Sequence, residues 1–115
     1  MNLTPATEKQ LAFLNKLRLS TVEGALDWTR LGGEPGFSAI TKSGLHIELR
    51  RPDASQIVQI RVCEADGACI TEIRSSDPLA DLLRMALLQL WVTVREDVAN
   101  DQSQRLLDRL DDLQL

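Results

Sequence analysis

Apolar positions along the chain change their spacing twice, from helical to alternating and back. Leu11, Leu14 and Leu17, with Phe13 beside them, recur at helical spacing, while Lys9, Lys16 and Arg18 fall elsewhere on the wheel. Thr4-Pro5 offers a capping hydroxyl and then a proline, which loses no hydrogen bond at a first helical position. Gly24 suits a left-handed stop. The spacing predicts a helix from about Pro5 to Val22.

Between Ala25 and Ser75 the period falls to two. Leu26, Trp28 and Arg30 alternate with Asp27, Thr29 and Leu31 in a first strand, and Gly32-Gly33-Glu34-Pro35-Gly36 reads as a loop. A second strand spans Phe37 to Lys42 and turns back at Ser43-Gly44. In the third, Leu45, Ile47 and Leu49 alternate with His46, Glu48 and Arg50. Pro52-Asp53-Ala54-Ser55 makes a further turn into a fourth strand, Gln56 to Glu64, with Val58, Ile60 and Val62 on one face. Such short turns imply antiparallel neighbours, and with a fifth strand the segment is a meander.

Asp66-Gly67 signals a two-residue hairpin turn. Centred there, the register pairs Ala65 with Ala68, Glu64 with Cys69, Cys63 with Ile70, Val62 with Thr71, Arg61 with Glu72 and Ile60 with Ile73. Opposed residues share a face. Ile60, Val62, Cys69, Thr71 and Ile73 therefore lie on one side, and Arg61 meets Glu72 on the other. Cys63 and Cys69 fall on opposite faces in this register, which predicts two free thiols.

Asp77-Pro78 repeats the cap-plus-proline start, and a long helix follows. Leu79, Leu83, Ala86, Leu87, Leu90 and Val94 form a stripe that fits against a sheet. A second row, Met85, Leu88 and Val92, recurs at i, i+3 and i+7 on roughly the opposite side. Asn100-Asp101 reads as a stop and a new cap, with Gln104 as capping-box partner. A short terminal helix then carries Leu106, Leu107, Leu110 and Leu113. The expected fold is α+β, in the order α-β-β-β-β-β-α-α, as two layers in a single domain over residues 1–115. Either the terminal or the first helix covers the second row, or another protein does.

Composition narrows the functional classes. The chain has 115 residues, is 43% apolar and carries a net charge of −4, with excess acid after Ser76. Folding at this length buries roughly two-thirds of the unfolded surface, enough for one core. The core must be aliphatic, because Phe13, Trp28, Phe37 and Trp91 are the aromatic residues. Acidity argues against nucleic acid as a partner. A membrane span needs roughly 18–20 uninterrupted apolar residues, and the run from Met85 to Val94 is about half that. With no leader pattern at the start, a cytoplasmic location is expected.

Catalytic chemistry finds little support in the residue types. His46 is the single histidine, and Cys63 and Cys69 lack metal-site or redox-motif spacing. A cysteine nucleophile would need His46, and nothing in the sequence brings Cys63 to it. The glycines lie between strands, whereas phosphate cradles precede a helix. No catalytic residue, metal or cofactor is expected. A small-ligand or anion-binding face around His46, Arg50, Arg61 and Glu72 is an alternative to simple alternating charge on a solvated sheet.

Gly24-Ala25-Leu26-Asp27-Trp28 after a helix, the short strands, Asp66-Gly67 and the leucine-rich helix together resemble small bacterial α+β proteins. These have a Gly-x-Leu-x-Trp first strand and a β-meander ending in an Asp-Gly or Asn-Gly turn. That resemblance implies a fold and no activity. The leading functional expectation is a non-enzymatic interaction domain that binds itself or another protein through its helical side, at Met85, Leu88, Val92, Leu106, Leu110 and Leu113. A secretion-chaperone-like or toxin-immunity-like accessory role is the class alternative, although secretion chaperones place a helix between strands and none is evident here.

Overall fold

The computed structural model describes residues 4–33, 35–52 and 56–113, with the side chains of Asp111 and Leu113 left undescribed. Helix α1 (Pro5–Val22) is followed by five strands, β1 (Thr29–Arg30), β2 (Gly36–Ile40), β3 (His46–Arg50), β4 (Gln59–Cys63) and β5 (Cys69–Arg74). Helix α2 (Asp81–Asp108) and a single 3-10 turn (Leu110–Leu113) complete the chain. The strands form one antiparallel sheet in the order β1-β2-β3-β4-β5, the expected meander. Glu34 in the first loop and Asp53 to Ser55 in the third lie outside the described residues.

Each end of α1 closes as its residues dictate. The Thr4 hydroxyl accepts the Thr7 N–H at 3.1 Å, and Pro5 occupies the first turn. At the other end, Gly24 adopts φ 75°, which lets Gly24 N–H reach the Thr21 carbonyl and Ala25 N–H the Ser20 carbonyl. These two bonds satisfy carbonyls that the helix leaves open and turn the chain toward β1.

Alternation gives the sheet one apolar and one polar face. Phe37, Ala39, Ile47, Leu49, Ile60, Val62 and Ile73 are buried, and they meet Leu14 and Leu17 of α1 and Leu83, Leu87, Leu90, Trp91, Val94 and Val98 of α2. Leu11, Phe13, Leu45 and Leu79 pack at the margin. The Phe37 and Trp91 rings meet at 5.3 Å between centroids, tilted by 52°. Leu26 and Trp28 point inward as their alternation requires, although the β1 ladder itself holds two residues. Val58 extends the β4–β5 pairing irregularly: its N–H donates to Ser75 Oγ, and Ser75 N–H donates back to its carbonyl.

The one buried polar residue among those described is Thr21. Its hydroxyl donates to the Leu17 carbonyl at 2.8 Å and accepts the Trp28 indole N–H at 2.9 Å. This relay ties the end of α1 to the entry of the sheet.

Three local expectations are corrected. Helix α2 starts at Asp81 rather than behind Asp77-Pro78, because Asp77 turns back to accept the Arg74 N–H at 2.9 Å. Arg84 then braces the connection through the carbonyls of Ser75 and Asp77. Nor does the helix break at Asn100-Asp101. Asp101 pairs with Arg105 at 3.1 Å and Gln104 donates to Asp108, so the residues read as cap signals act one turn apart within a continuous helix. The expected terminal helix is reduced to the 3-10 turn after Arg109.

The third correction concerns the cysteines, which form a disulfide, Cys63–Cys69. The hairpin loop holds three residues rather than two: Gly67 N–H donates to the Glu64 carbonyl, Gly67 takes φ 93°, and Glu64 N–H donates to the Ala68 carbonyl. This shifts the tip by one residue and sets Cys69 opposite Cys63. A bulge at Ile70 absorbs the slip, and beyond it Val62–Thr71, Arg61–Glu72 and Ile60–Ile73 pair as expected.

Replacing Thr21 with valine keeps the volume and removes the acceptor of a buried indole N–H. The expected cost is about 1–3 kcal/mol in urea unfolding. Thr21→Ser should recover most of it, and equal loss in both variants would refute the relay.

Candidate functional site

The outer side of α2 carries the feature that the sheet does not explain. Its core face turns inward through Leu83, Leu87, Leu90 and Val94, which places Met85, Leu88 and Val92 nearly opposite. Those three are 54%, 39% and 40% exposed. Among the described residues, neither α1 nor the turns after Ala99 cover them. Leu88 and Val92, with Gln89 and Thr93, instead form a groove of about 470 Å³ against Arg18 of α1.

The same stripe continues down the helix. Leu106 and Leu110 recur on it at helical spacing, and both are exposed, with Leu107 alongside. From Ala99 to Leu110 every side chain is exposed, so the last three turns project from the core. A bond of 3.3 Å from Arg30 to Gln102, with Arg30 over the Phe37 ring at 5.7 Å, links their base to the sheet. Leu113 belongs to the stripe by sequence position, but its side chain is outside the described set. Leu106, Leu107 and Leu110, expected to act as a lid on Met85, Leu88 and Val92, are therefore themselves exposed.

The polar face of the sheet shows a different arrangement. Arg50 pairs with Glu48 at 2.9 Å, and Glu72 takes both Arg61 at 3.3 Å and Arg74 at 3.1 Å. Gln59 adds a further bond to Glu72. Charges that could have gripped an anion are largely spent on one another, along β3 and β5 and between β4 and β5. His46, Arg50, Arg61 and Glu72 thus do not gather into one pocket. His46 and Arg61 line a shallow hollow of about 290 Å³ at the hairpin end, with Glu48, Cys63, Glu64 and Cys69.

That hollow holds a juxtaposition with no sequence signal. His46 of β3 lies directly opposite Cys63 of β4, and Cys63 lies opposite Cys69 of β5. Cross-strand pairing brings the single histidine alongside both sulfur-bearing residues, across separations that local spacing does not encode. Among the described residues no cluster of three or more histidine, cysteine or carboxylate groups could hold a metal ion.

Electrostatic tension is found on α2 near the base of the projecting turns. Partial burial raises the Asp97 carboxyl above its ordinary value of 3.8, and the neighbouring charges of Asp101 and Asp27 raise it further. A carboxyl whose pKa rises on folding favours the native state when protonated and disfavours it once ionised. Asp97→Asn should therefore raise the Tm by roughly 1–2 °C at pH 7. The gain should fade as pH falls through the raised value and vanish below 3.8, as thermal unfolding across pH would show. No known protein family, curated protein or solved structure matches this chain.

Proposed function

We propose that this is a non-enzymatic protein-interaction domain that pairs with a second copy of itself, antiparallel, through the outer stripe of α2. The observation that carries the reading is the exposure of two separate apolar clusters along α2 and the 3-10 turn that follows it. One is Met85, Leu88 and Val92, and the other is Leu106 and Leu110. A helix of 28 residues is about 42 Å long, and three turns of it project with no core of their own. In proteins most helical stability comes from packing an apolar face, which favours a partner along these turns.

The spacing of the clusters fits a second copy of this chain. The clusters lie at similar distances on either side of Ala99, a small residue on the same stripe. An antiparallel partner related by a two-fold axis near Ala99 sets Val92 of each chain against Leu106 of the other, and Leu88 against Leu110. This is the self-complementarity that a closed dimer requires.

No helix among the described residues is long and apolar enough to cross a membrane. A cytoplasmic place remains part of the proposal, and so does a protein rather than a nucleic acid as partner. The five strands follow one another with no helix between them, so the secretion-chaperone analogy has no architectural support.

Light scattering after gel filtration should give twice the chain mass of 12.8 kDa at micromolar concentration. Val92→Glu and Leu106→Glu should each shift the protein to monomer while leaving its far-ultraviolet spectrum intact apart from the last turns of α2. A wild-type monomer at high concentration would overturn the homodimer, as would a dimer untouched by either substitution.

A further inference from the structure

We infer that Cys63–Cys69 is a thiol–disulfide exchange site for an external dithiol, and that its oxidation state sets the register of the β4–β5 hairpin. The inference rests on the outer sheet face and is independent of the α2 surface.

Accessibility is the first ground. Cys69 is exposed and Cys63 half-buried, and both line the open hollow beside His46. No element among the described residues covers the bond. Exposed disulfides are the ones that exchange, because an attacking thiolate must approach a sulfur along the S–S axis.

The second ground is the conflict between turn and bulge. Asp66-Gly67 favours a two-residue loop in which Cys63 faces Ile70. Beyond the bulge the hairpin already keeps that register, with Val62–Thr71, Arg61–Glu72 and Ile60–Ile73 in place. Only the tip is displaced, by one residue, and the displaced pair is Cys63–Cys69. The covalent bond thus holds the tip out of the register that the rest of the hairpin follows. A bulge interrupts the ladder locally, which gives the regular register an advantage once the bond is gone.

Exchange proceeds in two balanced steps. A thiolate of the dithiol attacks Cys69 Sγ, forming a mixed disulfide and expelling Cys63 as a thiolate, which takes a proton from water. The second thiolate of the reagent then attacks its own linked sulfur, closing a cyclic disulfide and releasing Cys69. Two electrons pass to the protein, and the reagent is oxidised.

The change reaches the other face of the sheet. Ile70 is 58% exposed and lines an apolar cleft of about 220 Å³ between α1 and β4–β5, with Phe13, Leu14, Leu45, Val62 and Ile73. In the regular register Ile70 turns to the outer face opposite Cys63, and Cys69 turns inward. Reduction therefore rebuilds the mouth of the cleft, since a one-residue slip reverses every side chain it includes.

The test uses the full chain without denaturant, equilibrated with equal amounts of reduced and oxidised dithiothreitol. At least roughly nine-tenths of the protein should become dithiol, with its far-ultraviolet spectrum retained. In nuclear Overhauser spectra the cross-strand contact of Cys63 should move from Cys69 to Ile70, and that of Glu64 from Ala68 to Cys69. The Cys63→Ser/Cys69→Ser double variant should show the reduced pattern whatever the redox state. Two results would overturn the inference: a disulfide that opens only in denaturant, or a reduced hairpin with Cys63 still opposite Cys69. Dimerisation by light scattering is a separate readout, so failure of one proposal does not imply failure of the other.

Discussion

Burial of one sheet face against two helices is the constraint on which the other features depend. Ile47, Leu49 and Ile60 carry no exposed surface, and a five-stranded sheet is too wide for one helix to cover. Helices α1 and α2 therefore lie side by side on the same face, and Thr21 with Trp28 fastens the first of them to the sheet. Complete burial of a hydroxyl and an indole is tolerable because each polar hydrogen finds an oxygen.

That arrangement leaves two surfaces that the described residues do not cover. The outer sheet face solves its exposure with polar residues, and its arginines and glutamates neutralise one another within and between strands. Helix α2 does not. Its core face is used against the sheet, yet leucine, methionine and valine continue on the opposite side and along turns that reach past the core. The contrast between these surfaces is what directs attention to the helix for partner binding. The disulfide is a third feature, because a covalent bond imposes a tip geometry that the flanking pairs do not share.

Most of the architecture was legible from periodicity. The switch from helical to alternating spacing and back located both helices and all five strands, and the Arg61–Glu72 charge pair marks the part of the hairpin register, from Val62–Thr71 onward, that pairs as expected. Legibility failed where a local signal had two structural uses. Asp66-Gly67 serves either a two-residue turn or a three-residue turn with Gly67 left-handed, and the difference of one residue moves Cys69 across the sheet. Asp77 caps the end of β5 instead of α2, and Asp101 with Gln104 supports a helix through its interior.

The residue pattern by itself determined the α+β class, the meander order, the inward set Ile47, Leu49, Ile60 and Val62, and the doubled apolar surface of α2. Each of these follows from periods of 2 and 3.6, which are properties of the backbone. Tertiary structure alone decided that the end of α2 projects instead of folding over Met85, Leu88 and Val92. It also decided that Cys63 stands between His46 and Cys69. Those outcomes depend on which distant strands pair and on where a single extra residue is absorbed, and neither is encoded in the spacing of neighbours along the chain.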